Sequence, residues 1–216
     1  MKTAQRSKTL VALGIYACTT LLSSTSMQGQ GVSSGTSTRI EVAAGSTAEY
    51  RVREQLARLN FPNDAVGTTD KFTGSLVVGP GSLVTATGSK LTVDLRALQS
   101  DADRRDAFLR ENTLHTNRFP TAEFVPRRQQ GLPSPLPSSG KVTFTLIGDM
   151  TIHGVTTELA WDVAATLTPT AVTAQATTRF PFSKFGLTIP KVMGLLGVDD
   201  DIRLVLNIKA RRTESR

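Results

Sequence analysis

The chain has little of what most reactive sites are built from. Cysteine occurs once, at Cys18, histidine twice, at His115 and His153, and tryptophan once, at Trp161. Cys18 falls in an apolar leader, so the chain that follows has no thiol for a disulfide or a cysteine-ligated metal and must be held by its own core. The two histidines are not at ligand spacing, and neither carries the partner motif of a Ser-His-Asp site. No apolar run after the leader approaches the roughly 20 residues that span a bilayer as a helix, so a mature chain is expected to have no transmembrane span. Lys and Arg outnumber Asp and Glu by 25 to 18. The bases are scattered, however, without a run of five or six and without interleaved aromatics, which argues against nucleic acid as a partner.

What is present begins with an export signal. "MKTAQRSK" carries Lys2, Arg6 and Lys8, "TLVALGIYACTTLL" is apolar but short, and "SSTSMQGQG" supplies small polar residues around a cleavage zone. Residues 1–31 are therefore expected to be an N-terminal export signal and a flexible post-signal tail, which places the mature protein in the periplasm or outside the cell. "IYAC" resembles a lipoprotein acylation site at Cys18, although Tyr16 is bulky there; an ordinary cleaved signal fits better. Removing the leader lowers the formal charge from +7 to about +4, a mild balance. The remaining residues suffice for one compact domain with a substantial core.

Period-two alternation dominates the rest, as expected of strands apolar on one face. "AEYRVREQL" sets Ala48, Tyr50, Val52 and Leu56 against Glu49, Arg51, Arg53 and Gln55, with Glu54 alone breaking the apolar row. Further inward rows are Phe72, Leu76 and Val78; Leu91, Val93 and Leu95; Ala122 and Phe124; Val142, Phe144, Leu146, Met150 and Ile152; Val155, Leu159, Trp161, Val163 and Leu167; Val172, Ala174, Ala176, Phe180 and Phe182; and Ile202, Leu204, Leu206 and Ile208. The spacing predicts eight or nine strands. At His153-Gly154 the alternation changes parity, the mark of a tight hairpin turn that returns the chain to the same face. One helix is expected, Ser100 to Asn112, with Ser100 as N-cap and acid-before-base pairs Asp101–Arg105 and Asp106–Arg110. The proline-rich stretch 129–140 reads as a loop between strands, because strands of the same kind continue on both sides.

Single-faced antiparallel strands in this number close either as a sandwich or as a barrel. Small inward residues (Ala48, Gly74, Ala122, Ala174, Ala176) among large ones either leave a cavity for an apolar molecule or interdigitate into a solid core.

The blocks "LTVDLRALQSD", "RRDAFLRENTLHTNRFPTAEF", "GDMTIHGVTTELAWDV" and "ATTRFPFSKFGL", with "AEYRVREQLARLNFPNDAVGTTDKFTGSLVV" ahead of them, resemble the YceI-like family of bacterial periplasmic, lipocalin-like proteins that bind polyisoprenoids. The resemblance covers residues 37–210, leaving 211–216 as a C-terminal tail. It implies a single eight-stranded antiparallel lipocalin-like β-barrel, with one short helix in a connecting segment, enclosing a tunnel for an isoprenoid or quinone-type lipid. It implies a non-catalytic protein with no cofactor, and leaves a homodimer open. Phe108 stands where the family commonly has His, and Phe182 and Lys184 replace a common Arg and Asp, so this version is more apolar. By strand parity and size, the expected ligand-lining residues are Tyr50, Phe72, Phe124, Phe144, Trp161, Phe180 and Phe182. A strand of about 10 residues tilted near 40° makes a barrel about 25 Å tall, so a longer chain must bend or protrude. The other function these residues allow is a ligand-free barrel serving as a protein-interaction or stress-response module.

Other patterns carry less. "GVSSG" at 31–35 matches G-x-S-x-G without the strand and helix of a nucleophile elbow. Asp199, Asp200 and Asp201 are adjacent acids without alternating calcium-ligand spacing, so they read as a solvated turn. Glu54 must escape an unpaired buried state through the barrel mouth, an Arg partner or a bulge that turns it outward; the mouth or the bulge is favoured here.

Overall fold

The computed structural model describes residues 36–215. The export-signal reading of residues 1–31 and the acylation reading of Cys18 lie outside them. Among the described residues eleven strands are present: β1 Ser37–Val42, β2 Thr47–Leu56, β3 Asn63–Thr69, β4 Phe72–Val78, β5 Val84–Asp94, β6 Gln99–Ser100, β7 Thr121–Gln130, β8 Gly140–Ile152, β9 Val155–Leu167, β10 Ala171–Phe180 and β11 Leu195–Ser215. Two pairs of these act as single broken strands. β1 and β2 lie end to end against β11, from Ser37↔Ser215 to Val42↔Ala210 and again from Thr47↔Asn207 to Leu56↔Leu195. Opposite them, β4 pairs with β1 and β3 with β2. The first break is a corner built by Ser46, whose buried hydroxyl accepts the Lys209 N–H at 2.9 Å and has the Ala43 and Lys209 carbonyls, at 2.8 and 2.9 Å, as alternative acceptors for its one proton.

With the broken strands joined, β1/β2, β3/β4, β5, β7, β8, β9, β10 and β11 each pair with the next in chain order, and β11 returns to β1/β2. The fold is a closed eight-stranded antiparallel barrel, as the family resemblance implied. Closure removes the free sheet edges that a flat meander would expose. Residues 211–215, expected as a tail, form the end of β11: Arg211 and Arg212 face Glu41 and Ile40 across the β1 ladder. That ladder is what seals the ring there. Asp199–Asp201 likewise are not a turn. They sit in an irregularity of β11, between the pairs Val198↔Glu54 and Ile202↔Val52, where Asp200 accepts the Phe182 N–H at 2.8 Å and Asp201 pairs with Arg179 at 2.9 Å.

The β8–β9 hairpin turns at His153-Gly154, with φ of 52° and 75°. Positive φ at both central residues is the two-residue hairpin turn whose twist matches the flanking strands. A side chain at 154 would also meet the Phe119 ring, 2.6 Å from where a Cβ would stand. Glycine is therefore required twice over. Val155, counted as inward from sequence, is exposed just past this turn.

The helix is shorter than expected. α1 spans Asp103–Phe108 and runs on into one wide turn over Leu109–Thr113, closed by Leu114 N–H to the Leu109 carbonyl at 2.8 Å. Ser100 does not cap it; Ser100 lies in β6 and pairs with Gly67 of β3. The expected Asp106–Arg110 pair is absent as well. Buried Asp106 instead receives the Ser100 N–H at 3.0 Å and the Ser100 hydroxyl at 2.6 Å, while Arg110 donates to the Leu98 carbonyl. Asp101 and Arg105 do pair. Two bonds from Ser100 outweigh an exposed ion pair of a few tenths of a kcal/mol.

Candidate functional site

The strands put their apolar rows inside, and the ends of the barrel are closed by different means. At one end the proline-rich loop after β7 folds over, placing Leu132 and Leu136 on the interior wall. It is pinned by Arg212, whose buried guanidinium donates to the Pro137 carbonyl at 2.7 Å, and by Ser82, which donates to Pro133 O at 2.6 Å. At the other end the β6–α1 segment lies across the barrel, with Leu98, Leu109, Thr113 and Leu114 on the wall.

Two cavities lie between these caps. The chamber toward the helix has a volume of about 130 Å³ and is walled by Ala48, Tyr50, Phe72, Phe180 and Phe182 among others. The chamber toward the proline-rich loop has about 80 Å³ and is walled by apolar side chains, including Phe144, Ala174 and Ala176. Leu91, Phe124, Trp161 and Leu206 belong to both walls and form a waist between them. There Phe124 and Trp161 meet edge to face, with centroids 6.1 Å apart at 67°. All seven residues expected to line the interior do stand on it. Of the small residues, Ala48 and Ala122 border the first chamber and Ala174 and Ala176 the second. Gly74 has another job: its φ of 131° brings the backbone so close to β5 that a Cβ would fall 2.1 Å from Lys90 O.

Two polar atoms on the largely apolar interior stand out. Trp161 Nε1 and the Tyr50 hydroxyl are buried without a hydrogen-bond partner among the described residues. Burial pushes the Tyr50 phenol up to about 12, the charges of Asp106 and Glu54 add to the rise, and Arg105 and Ser100 oppose it. The phenol thus stays neutral and keeps a free donor. In the folded state it holds its proton between pH 10 and 12, where the unfolded chain releases it, so stability falls with rising pH across that window. Tyr50→Phe is expected to flatten this part of a pH–stability profile. At neutral pH the same change should cost less than about 1 kcal/mol, because no hydrogen bond is lost; urea unfolding at both pH values checks it.

Beyond Tyr50 lies the mouth, a hollow of about 450 Å³ whose walls include Glu54, Arg104, Arg105, Phe108, Val192 and Met193. Tyr50, Val52, Leu109 and Phe182 border both it and the inner chamber. Glu54 is buried here and is paired, accepting from Arg105 Nη2 at 2.8 Å. The mouth was the right place for it, and the arginine is its partner. Arg105→Ala is expected to destabilise by about 2 to 3 kcal/mol, less than a fully buried pair because Arg105 keeps some solvent contact. Adding Glu54→Gln should recover most of that loss in a double-mutant cycle.

The two histidines, which the sequence left without partners, partner each other. His115 Nδ1 lies 2.8 Å from His153 Nε2, the rings stack at 5.1 Å, and Phe119 packs edge-on against His153 at 4.9 Å. One ring donates the N–H and the other accepts it. The contact ties the hairpin corner to the segment that covers the barrel, and no third metal-ligating side chain joins it among the described residues.

A closed eight-stranded up-and-down barrel with an apolar interior is the lipocalin-like architecture. The YceI-like domain model matches residues 41–210, and the chain belongs to the YceI-like family. Solved structures share the fold at low identity. A polyisoprenoid-binding domain from Saccharophagus degradans, implicated in plant cell wall breakdown, aligns with a TM-score of 0.63 at 12% identity, covering 81% of this chain and 98% of its own. Burkholderia cenocepacia BcnA aligns at 0.54 and 13% identity, covering 76% and 95% respectively. The Campylobacter jejuni YCEI protein aligns at 0.53 and 14%, covering 73% and 90%. No curated protein sequence matches. Among the described residues no helix is long and apolar enough to cross a membrane.

Sequence reasoning missed the lining contributed by the β6–α1 segment. Leu109 fell within the expected helix and Leu98 and Leu114 just outside it, and nothing in their spacing says that the segment lies across a barrel end. Leu91 and Leu206 were placed inward but passed over because they are not aromatic.

Proposed function

We propose that this barrel is a non-catalytic carrier or store of long-chain apolar lipid, an isoprenoid or quinone-type molecule first among them, in the cell envelope. The observation that carries it is the pair of apolar chambers inside the barrel, divided by the Phe124–Trp161 waist, the first of which shares its wall with the mouth. The export signal read in residues 1–31 and the polyisoprenoid-binding domain of the same fold support it.

The volumes specify how binding would proceed. A cavity of about 150 Å³ holds one benzene, so the 130 Å³ chamber accommodates about one five-carbon isoprene unit. A longer tail enters by turning the waist side chains and merging the chambers. Each CH₂ taken from water contributes about 0.8 kcal/mol before ordering costs, enough to drive that rearrangement over several isoprene units. The free donors of Tyr50 and Trp161 suit a ligand with a carbonyl or ether acceptor along or at the end of its tail.

Because Trp161 is the sole tryptophan and sits at the waist, its fluorescence reports the event. Titration with a prenyl quinone is expected to quench it saturably near one ligand per chain. An emission unaffected by prenyl quinones and prenols alike would contradict the proposal.

A further inference from the structure

Seven large apolar side chains are exposed among the described residues, and five of them, Leu59, Phe61, Val192, Met193 and Leu196, stand at the mouth end of the barrel. Phe61 is 79% exposed, Leu196 70%, and Met193 wholly so. Their loops are neighbours. Ala57 N–H donates to Gly194 O at 2.9 Å and Leu56 pairs with Leu195, so the β2–β3 loop and the approach to β11 form one patch. The patch is continuous with the interior: Val192, Met193 and Leu195 wall the mouth hollow, whose inner boundary of Tyr50, Val52 and Phe182 also walls the first chamber.

The two loops that carry the patch hold bases and no acids. Neither the stretch from Gln55 to Asn63 nor that from Lys184 to Val198 contains an acid; their charged residues are Arg58, Lys184 and Lys191. Arg58 and Lys191 are exposed. Of the acids on the elements packed beside them, Glu54 and Asp101 pair with Arg105, Asp64 with Arg53 and Arg203, and Asp201 with Arg179, while Asp200 accepts the Phe182 N–H; Asp199, just past Val198, is the exposed acid nearest the patch. Asp103 stands beside Arg104 in the first turn of α1. A two-fold contact with a second copy would set the same bases against each other. A bilayer bearing anionic lipid instead offers phosphates to the bases and an acyl boundary to the apolar tips.

We propose that the mouth end docks on an anionic lipid bilayer, with Phe61, Met193 and Leu196 inserted at the acyl boundary and Arg58 and Lys191 on lipid phosphates. The proposal deepens the carrier reading and rests on it for its purpose. Docked this way, the mouth hollow opens onto hydrocarbon, and a lipid tail passes to the first chamber without crossing water.

Flotation of the full purified protein with phosphatidylcholine vesicles, with and without phosphatidylglycerol, tests it. Binding is expected to require phosphatidylglycerol and to fall about tenfold or more in Phe61→Asp/Met193→Asp. Arg58→Glu/Lys191→Glu should lose it too, whereas Leu83→Asp, at the opposite end of the barrel, should bind like the parent. These positions are exposed, so unchanged thermal melts are expected to accompany the losses. Ala48→Phe, which fills the first chamber, should float normally; normal flotation with no isoprenoid bound by any variant would sink the carrier reading alone. Failure of the parent to float, or unaltered flotation of the Phe61/Met193 variant, would overturn the docking proposal whatever the interior holds. A parent dimer that the same variant converts to monomer would overturn it in favour of a second copy.

Discussion

Trp161→Ala is expected to lower the unfolding free energy by about 3 to 5 kcal/mol, the range for a large aromatic side chain removed from a packed interior. Trp161 is 3% exposed and forms an edge-to-face pair with Phe124. Its indole nitrogen has no partner among the described residues, so the loss is one of packing and not of hydrogen bonding. The same change opens the waist and joins the two chambers. A prenyl lipid that fills the gap should then restore part of the stability, by an amount that grows with its free concentration. Urea unfolding with and without prenol measures both effects. A cost under about 1 kcal/mol would mean that the waist is not packed as described.

Ala48→Phe is expected to do the reverse: keep the barrel and empty it of lipid. Ala48 is buried, borders the first chamber and pairs with Leu206 at the waist. A phenyl group has the size of the benzene that a cavity of about 150 Å³ holds, so in a chamber of about 130 Å³ it leaves no room for a tail. Overpacking should cost about 1 to 3 kcal/mol, which leaves a folded protein. Lipid recovered per chain, and the response of Trp161 fluorescence to prenyl quinone, should each fall at least about tenfold. Retention of parent-level lipid by a folded Ala48→Phe variant would place the lipid somewhere other than this chamber.

The inward faces were legible in the sequence because most strands alternate, and alternation depends on nothing beyond the strand itself; the choice of barrel over sandwich came from the family resemblance. Phe144, Trp161 and Phe180 fell on the inner wall for that reason alone. Glu54 was legible as an anomaly but not as one half of an ion pair, since its partner Arg105 is 51 residues away in the helical segment. The meeting of His115 and His153 across 38 residues was hidden in the same way. Helix length was misjudged because Asp106 satisfies two local rules at once, an i,i+4 pair with Arg110 and a carboxylate acceptor for Ser100; only the fold, by burying Asp106, chooses between them. The waist lay furthest from reach. Parity puts a residue inside, but the height at which Leu91, Phe124, Trp161 and Leu206 share a level depends on the stagger of all eight strands.

The most direct measurement is mass spectrometry of an organic extract of the protein purified from its native host, beside the same extract of Ala48→Phe. The expected result is a long-chain isoprenoid or quinone-type lipid near one per chain in the parent and little or none in the variant. A parent extract without stoichiometric apolar lipid, from protein that also fails to take up added prenol or prenyl quinone, would contradict a lipid-carrying barrel.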